Sequence, residues 1–225
     1  MLDYQEAIKT VYQGLDELQE KAVFTGGTTV PFYLTTDSPP PPRPTRDVDF
    51  VVQVASRAAY VHLQERLREL GFREDVESKV ICRWKYKEII VDIMPTEGDI
   101  LGFANQWHKL GMSDLWKVSL DEGCTINLFS SVYFLASKLA AMQGREGGMD
   151  IRYSQDFEDI VSLLQGRKEL EAEVNAAGEE VKDFIRESME KLLSNRLLQE
   201  AISVQTEYEQ DQEELMELIE RISSL

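Results

Sequence analysis

Residues 47–54 read DVDFVVQV, and no other segment restricts the fold as tightly. Valine is stiff at χ1, a poor fit to a helix and a good one to a pleated surface, so this run is a strand. Alternate side chains of a strand share a face, which puts Asp47 and Asp49 close together on one side. Two carboxylates that near each other repel unless a cation lies between them. A third carboxylate, Asp92, interrupts the apolar run EIIVDIM at residues 88–94, where a lone acid in a buried strand is costly. Three such groups on neighbouring strands form a hard-oxygen cage suited to Mg²⁺ or Mn²⁺. Ions held in this way activate an attacking oxygen and stabilise a leaving pyrophosphate. Asp-x-Asp alone more often reads as a solvated strand edge or turn. Asp92 and the upstream Gly26-Gly27-Thr28 turn weigh against that, because backbone N–H groups at such a turn can hold phosphate oxygens.

Around this strand the chain divides in character. Up to residue 128 short strand-like runs alternate with helices, whereas residues 130–225 contain no proline and read as helix throughout. The expected division is 1–129 and 130–225, a mixed α/β (α+β) core followed by a helical region. The stripe Tyr4, Ala7, Ile8, Val11, Tyr12, Leu15, Leu18 predicts a helix over 3–19. AVFT at 22–25 is a strand entering the Gly26-Gly27 turn. A short helix starts near 28, with Pro31 confined to its first turn. TDSPPPPRPTR at 36–46 is a stiff extended loop, since proline lacks a donor and fixes φ. An amphipathic helix covers 56–70. FREDV, KVICRWKY and EIIVDIM are strands, and two more lie within 115–128. Helices follow at about 130–143, 154–165, 178–194 and 205–223. The last holds the acidic run EYEQDQEELMELIE, with Leu215, Leu218 and Ile219 at helical spacing, an amphipathic helix with a solvated face.

GGTT, TRDVDF and IIVDIMP together resemble the nucleotidyltransferase fold of the DNA polymerase beta superfamily. The segments DIMPTEGDILGFANQWH, SVYFLASKLAAMQGREGG and DIRYSQDFEDIVSLLQGR are similar to the AbiEii/AbiGii type, the abortive-infection and toxin–antitoxin nucleotidyltransferases. The resemblance implies Mg²⁺-dependent transfer of a nucleoside monophosphate from an NTP to an acceptor hydroxyl on RNA, protein or a small molecule. It gives Asp47, Asp49 and Asp92 to the metal, with Asp92 also assisting deprotonation of the acceptor. Gly26, Gly27 and Thr28 would hold the triphosphate, and Arg46, Lys138 and Arg152 would contact the nucleotide. Asp156 would be a catalytic or orienting carboxylate, and an antitoxin would be a partner. Eighteen residues, including the proline run, separate Thr28 from Asp47, a longer spacer than is usual in the family.

The residues themselves leave other readings open. Arg152 and Asp156 are spaced for an ordinary i, i+4 ion pair, Lys138 for a solvated helix face, and Arg83 and Lys85 for exposed strand positions. The same fold also serves as a catalytically silent nucleotide-binding or partner-binding module. With 24 Lys and Arg against 41 Asp and Glu the net charge is −17, which opposes binding of duplex DNA and leans toward a cationic acceptor. Two cysteines and two histidines are too few for a zinc site without carboxylates. The expected thiols are reduced, in a cytoplasmic protein with neither signal peptide nor membrane span.

Overall fold

The computed structural model describes residues 3–102, 104–145, 150–206 and 208–225. Residues 146–148 of the quoted segment SVYFLASKLAAMQGREGG lie outside the described residues, as do Met149, Phe103 and Glu207. The chain divides into two compact units, Met1–Phe32 with Pro44–Ser130, and Tyr33–Arg43 with Ser131–Leu225.

In the first unit, Asp3 accepts the Glu6 N–H and caps α1 (Tyr4–Gly14), whose stripe Ala7, Ile8, Val11, Tyr12 is buried. The helix stops short of residue 19 because Asp16 takes a left-handed φ of 49°, and the chain continues as a 3₁₀ turn over Asp16–Lys21. β1 (Ala22–Thr25) leads through Gly26 into a second 3₁₀ segment, Gly27–Tyr33, which contains Pro31. β2 (Asp47–Val52) precedes α2 (Arg57–Glu69), which is capped by Ser56. Three strands follow: β3 (Arg73–Glu74), β4 (Arg83–Tyr86) and β5 (Ile89–Pro95). Two short helices, α3 (Gly98–Leu101) and α4 (Gln106–Gly111), lead to the hairpin β6 (Leu115–Asp121) and β7 (Cys124–Phe129).

These strands form one seven-stranded mixed sheet in the order β3-β4-β5-β2-β1-β7-β6. β2 runs parallel to β5 and β1 parallel to β7, and the other neighbours are antiparallel. Strand alternation sorts the side chains by face. Phe24, Val48, Phe50, Val91 and Ile93 are essentially inaccessible and share one face. There Phe24 and Phe50 sit opposite each other with ring centroids 5.7 Å apart. Asp47, Asp49 and Asp92 take the other face.

The second unit is built from α5 (Ser131–Gly144), α6 (Gln155–Gly166), α7 (Leu170–Ala176), α8 (Glu179–Leu193), α9 (Leu198–Gln205) and α10 (Glu209–Ser223). Ser154 accepts the Phe157 N–H and starts α6. The helix expected over 205–223 is α10 alone, because Thr206 is extended and separates it from α9. Leu215, Ile219 and Ile222 bury the apolar stripe of α10, which packs against α6, α7, α8 and α9. Segment 33–43 is anchored within this unit. The Thr35 and Thr36 N–H groups both donate to the Gly166 carbonyl at 2.8 and 3.0 Å. Arg167 donates to the Tyr33 carbonyl, and Tyr33 stacks on Phe134 at 4.5 Å.

A buried ionic cluster ties segment 33–43 to α5 and α6. Asp159, 1% exposed, meets Lys138 Nζ at 2.6 Å and Arg43 Nε at 2.8 Å. Burial pushes the Asp159 carboxyl upward, but the Lys138 and Arg43 charges outweigh it and hold the group below its ordinary value of 3.8. Its contribution to stability is therefore present above pH 3.8 and is lost as the pH falls through the depressed native value. Removing one member of a buried pair strands the others without a counter-charge, so Asp159→Ala should destabilise the protein by about 3 kcal/mol at neutral pH. Denaturant unfolding across a pH series should show this deficit narrowing below pH 3.8.

Candidate active site

Sheet register assembles the acids. Asp49 pairs with Asp92 across parallel β2 and β5, Thr25 pairs with Asp49, and Arg83 of β4 pairs with Asp92. Asp47 stands two residues before Asp49 on the same face. One oxygen from each of the three carboxylates lies within 4.8 Å of the others. Arg83 clasps Asp92 with two donors, Nε to Oδ1 at 2.8 Å and Nη2 to Oδ2 at 2.7 Å, and its Nη2 also reaches Asp47 Oδ2 at 3.2 Å. Thr45 donates its hydroxyl to the other oxygen of Asp47 at 2.7 Å. The Asp92 hydrogen bonds, followed by the Asp92, Asp47 and Asp49 charges, raise the Arg83 pKa, so the guanidinium is fixed as a cation.

The glycine turn abuts this group. Gly26 has φ +78°, and a Cβ added there would lie 1.9 Å from Asp49 Oδ2. Only glycine combines that left-handed backbone with so close an approach. Thr29 uses both its N–H and its hydroxyl on the Gly26 carbonyl, at 3.1 and 2.8 Å. Thr28 is also fully buried, but its hydroxyl has no hydrogen-bond partner among the described residues. Three hard oxygens and an orphaned hydroxyl beside a glycine turn fit a divalent cation and a polyphosphate. Cys82 does not add a nucleophile. Burial, then the Asp92 and Asp49 charges, push its thiol up to about 12.

The remaining expected site residues are in the helical unit, apart from exposed Arg46 at the start of β2. Lys138 is not on a solvated helix face. It is 9% exposed, with Nζ 2.6 Å from Asp159 and 3.4 Å from Asp156. Asp156 also has Arg145 Nη2 at 2.6 Å from its Oδ2, out of line for a hydrogen bond. Arg152 does not take the i, i+4 partner. It pairs with Asp150 and reaches Glu200 at 2.6 Å.

Sequence reasoning passed over Asp159, although its i+3 spacing from Asp156 within DFEDIV puts both acids on one side of α6. It left Arg83 open as an exposed strand position, and the register against Asp92 reveals the clasp. His108 is buried on α4 and stacks on Phe129 at 5.3 Å. A cavity of about 890 Å³ in the helical unit is lined by Pro40, Tyr208, Asp211 and Glu214 among others, and by none of the three sheet carboxylates. Among the described residues no helix is long and apolar enough to cross a membrane.

Two solved structures from Helicobacter pylori share this architecture: JHP933, and a protein described as a candidate nucleotidyltransferase. Each superposes with a TM-score of 0.52 at 11% identity over 99% of this chain, and over 91% and 94% of the respective relative. At that identity the likeness establishes the fold alone. No curated protein matches the chain in sequence. The family model described as nucleotidyl transferase AbiEii toxin, type IV TA system, matches residues 11–222. With the carboxylate site on the sheet and a family match over nearly all of its length, this chain belongs to the AbiEii nucleotidyltransferase toxin family.

Proposed function

We propose that this nucleotidyltransferase moves a nucleoside monophosphate from an NTP to an acceptor hydroxyl, using Mg²⁺ or Mn²⁺ held by Asp47, Asp49 and Asp92. The observation that carries the reading is the convergence of three carboxylate oxygens within 4.8 Å of one another. When bound, the metal supplies charge neutralisation at the phosphates and activation of the attacking oxygen. The chain's own residues position the reactants and set the local field.

In this reading Gly26, Gly27 and Thr28 receive the triphosphate. The buried Thr28 hydroxyl, without a partner among the described residues, donates to a phosphate oxygen. The acceptor oxygen bonds to the α-phosphorus, the α–β phosphate bond breaks, and pyrophosphate leaves. Asp92 takes the acceptor proton, which requires Arg83 to release at least one of its two oxygens. The family resemblance would further assign nucleotide contacts to Arg46, Lys138 and Arg152 and an orienting role to Asp156. The acceptor belongs to RNA, a protein or a small cationic molecule, and the toxin–antitoxin context of the family supports an antitoxin partner.

Incubation with Mg²⁺, each NTP in turn and a cell extract, followed by mass spectrometry, should reveal a nucleoside-monophosphate adduct. Asp49→Asn should fold normally and lower transfer by about 10²–10³-fold, the loss expected when a metal ligand worth several kcal/mol is weakened. Wild-type turnover in Asp49→Asn would overturn the metal assignment. Gly26→Ala should cost about 1–3 kcal/mol of stability through its strained backbone. It should reduce transfer by more than that loss explains, because the new methyl group displaces the Asp49 carboxylate. Melting curves and initial rates measured side by side separate the two effects.

A further inference from the structure

We infer that Arg83 is a latch on the acid triad, which weakens binding of a bare divalent cation and makes cation and nucleotide bind as a pair. The inference rests on the metal reading proposed above. Its basis is the bidentate clasp of Arg83 on Asp92 at 2.8 and 2.7 Å, extended to Asp47 at 3.2 Å. These are two of the three carboxylates whose oxygens converge. The side chain of Arg83 is 22% exposed and that of Asp92 only 12%, so solvent screens their attraction incompletely.

A cation arriving alone meets a site in which both oxygens of Asp92 already accept hydrogen bonds from Arg83. It must displace that guanidinium or share the carboxylates with it, against like-charge repulsion in either case. A cation arriving with a triphosphate changes the balance. The phosphate oxygens are bidentate acceptors of the kind a guanidinium prefers, so Arg83 exchanges a carboxylate partner for a phosphate partner. Its positive charge then adds to the field on the nucleotide instead of opposing the metal. Lysine could not act in the same way, because its ammonium is a single point charge without the planar fork. Arg83 is thus a positioning residue. It sets the thermodynamic coupling between two ligands, and such coupling is reciprocal.

The test titrates the full chain with Mn²⁺, reading free ion by electron paramagnetic resonance, with and without a non-hydrolysable nucleoside triphosphate analogue. Wild type should bind Mn²⁺ at least about fivefold more tightly when the analogue is present. Arg83→Met should bind Mn²⁺ alone at least about tenfold more tightly than wild type, since a unit positive charge beside the cation has been removed. It should also gain less from the analogue. Arg83→Lys should fall between the two, and it carries the test if a thermal melt shows Arg83→Met to be unfolded. Asp49→Asn should lose Mn²⁺ under both conditions. If Arg83→Met matches wild type in both affinity and coupling while Asp49→Asn loses the ion, the latch is overturned and the metal reading stands. If wild type binds no Mn²⁺ under either condition, the metal reading fails and the latch fails with it.

Discussion

The hydrogen-bonded register between β2 and β5 places Asp49 directly beside Asp92, and this unfavourable contact organises the surrounding end of the sheet. Period-2 geometry adds Asp47 to the same face. Neighbouring groups answer the repulsion. Arg83 on the adjoining strand faces Asp92 and clasps it, Thr45 satisfies an oxygen of Asp47, and Gly26 leaves the space that the Asp49 carboxylate occupies. On the opposite face the same strands carry Phe50, Val48 and Val91, whose burial locks the register. A slip of one residue would send these apolar side chains to the acid face and the acids into the core. The apolar packing therefore holds the carboxylates together against their mutual repulsion.

The helical unit handles buried charge in the opposite manner. Asp156 and Asp159 are matched by Lys138, Arg43 and Arg145, so the cluster is neutralised from within. At the sheet, Arg83 clasps Asp92 and reaches Asp47, and one oxygen from each of Asp47, Asp49 and Asp92 lies within 4.8 Å of the others.

Local signals carried much of the architecture. The β-branched run at β2, the Gly26 turn and the stripe of α1 each have a direct physical meaning in one dimension. The Asp47, Asp49, Asp92 set was legible because strand alternation and an acid in an apolar strand are both visible without coordinates. What escaped notice depends on pairing between distant segments. The clasp of Arg83 on Asp92 follows from β4–β5 register, and the burial of Lys138 follows from Asp159 and Arg43, the latter at a sequence separation of 116 from Asp159. The early end of α1 arises from a positive φ at Asp16, a residue that tolerates that conformation without advertising it. The short helices α3, α4, α7 and α9 offered too few turns for a periodic signal.

Residues 33–43 give the helical unit a chain path in two pieces. Tyr33, Thr35, Thr36 and Arg43 find partners in α5, α6 and residues 167–169. A ribosome emits this segment roughly a hundred residues before those partners exist, and synthesis of that length takes several seconds at ~5–20 residues per second. During that interval the prolines keep the strip extended and bar it from the middle of a sheet. Neither unit can be excised with a single cut. Gene fusions or truncations placed at the apparent sequence boundary near residue 129 would leave the helical unit without the strip that neutralises Asp159, and the strip without its dock.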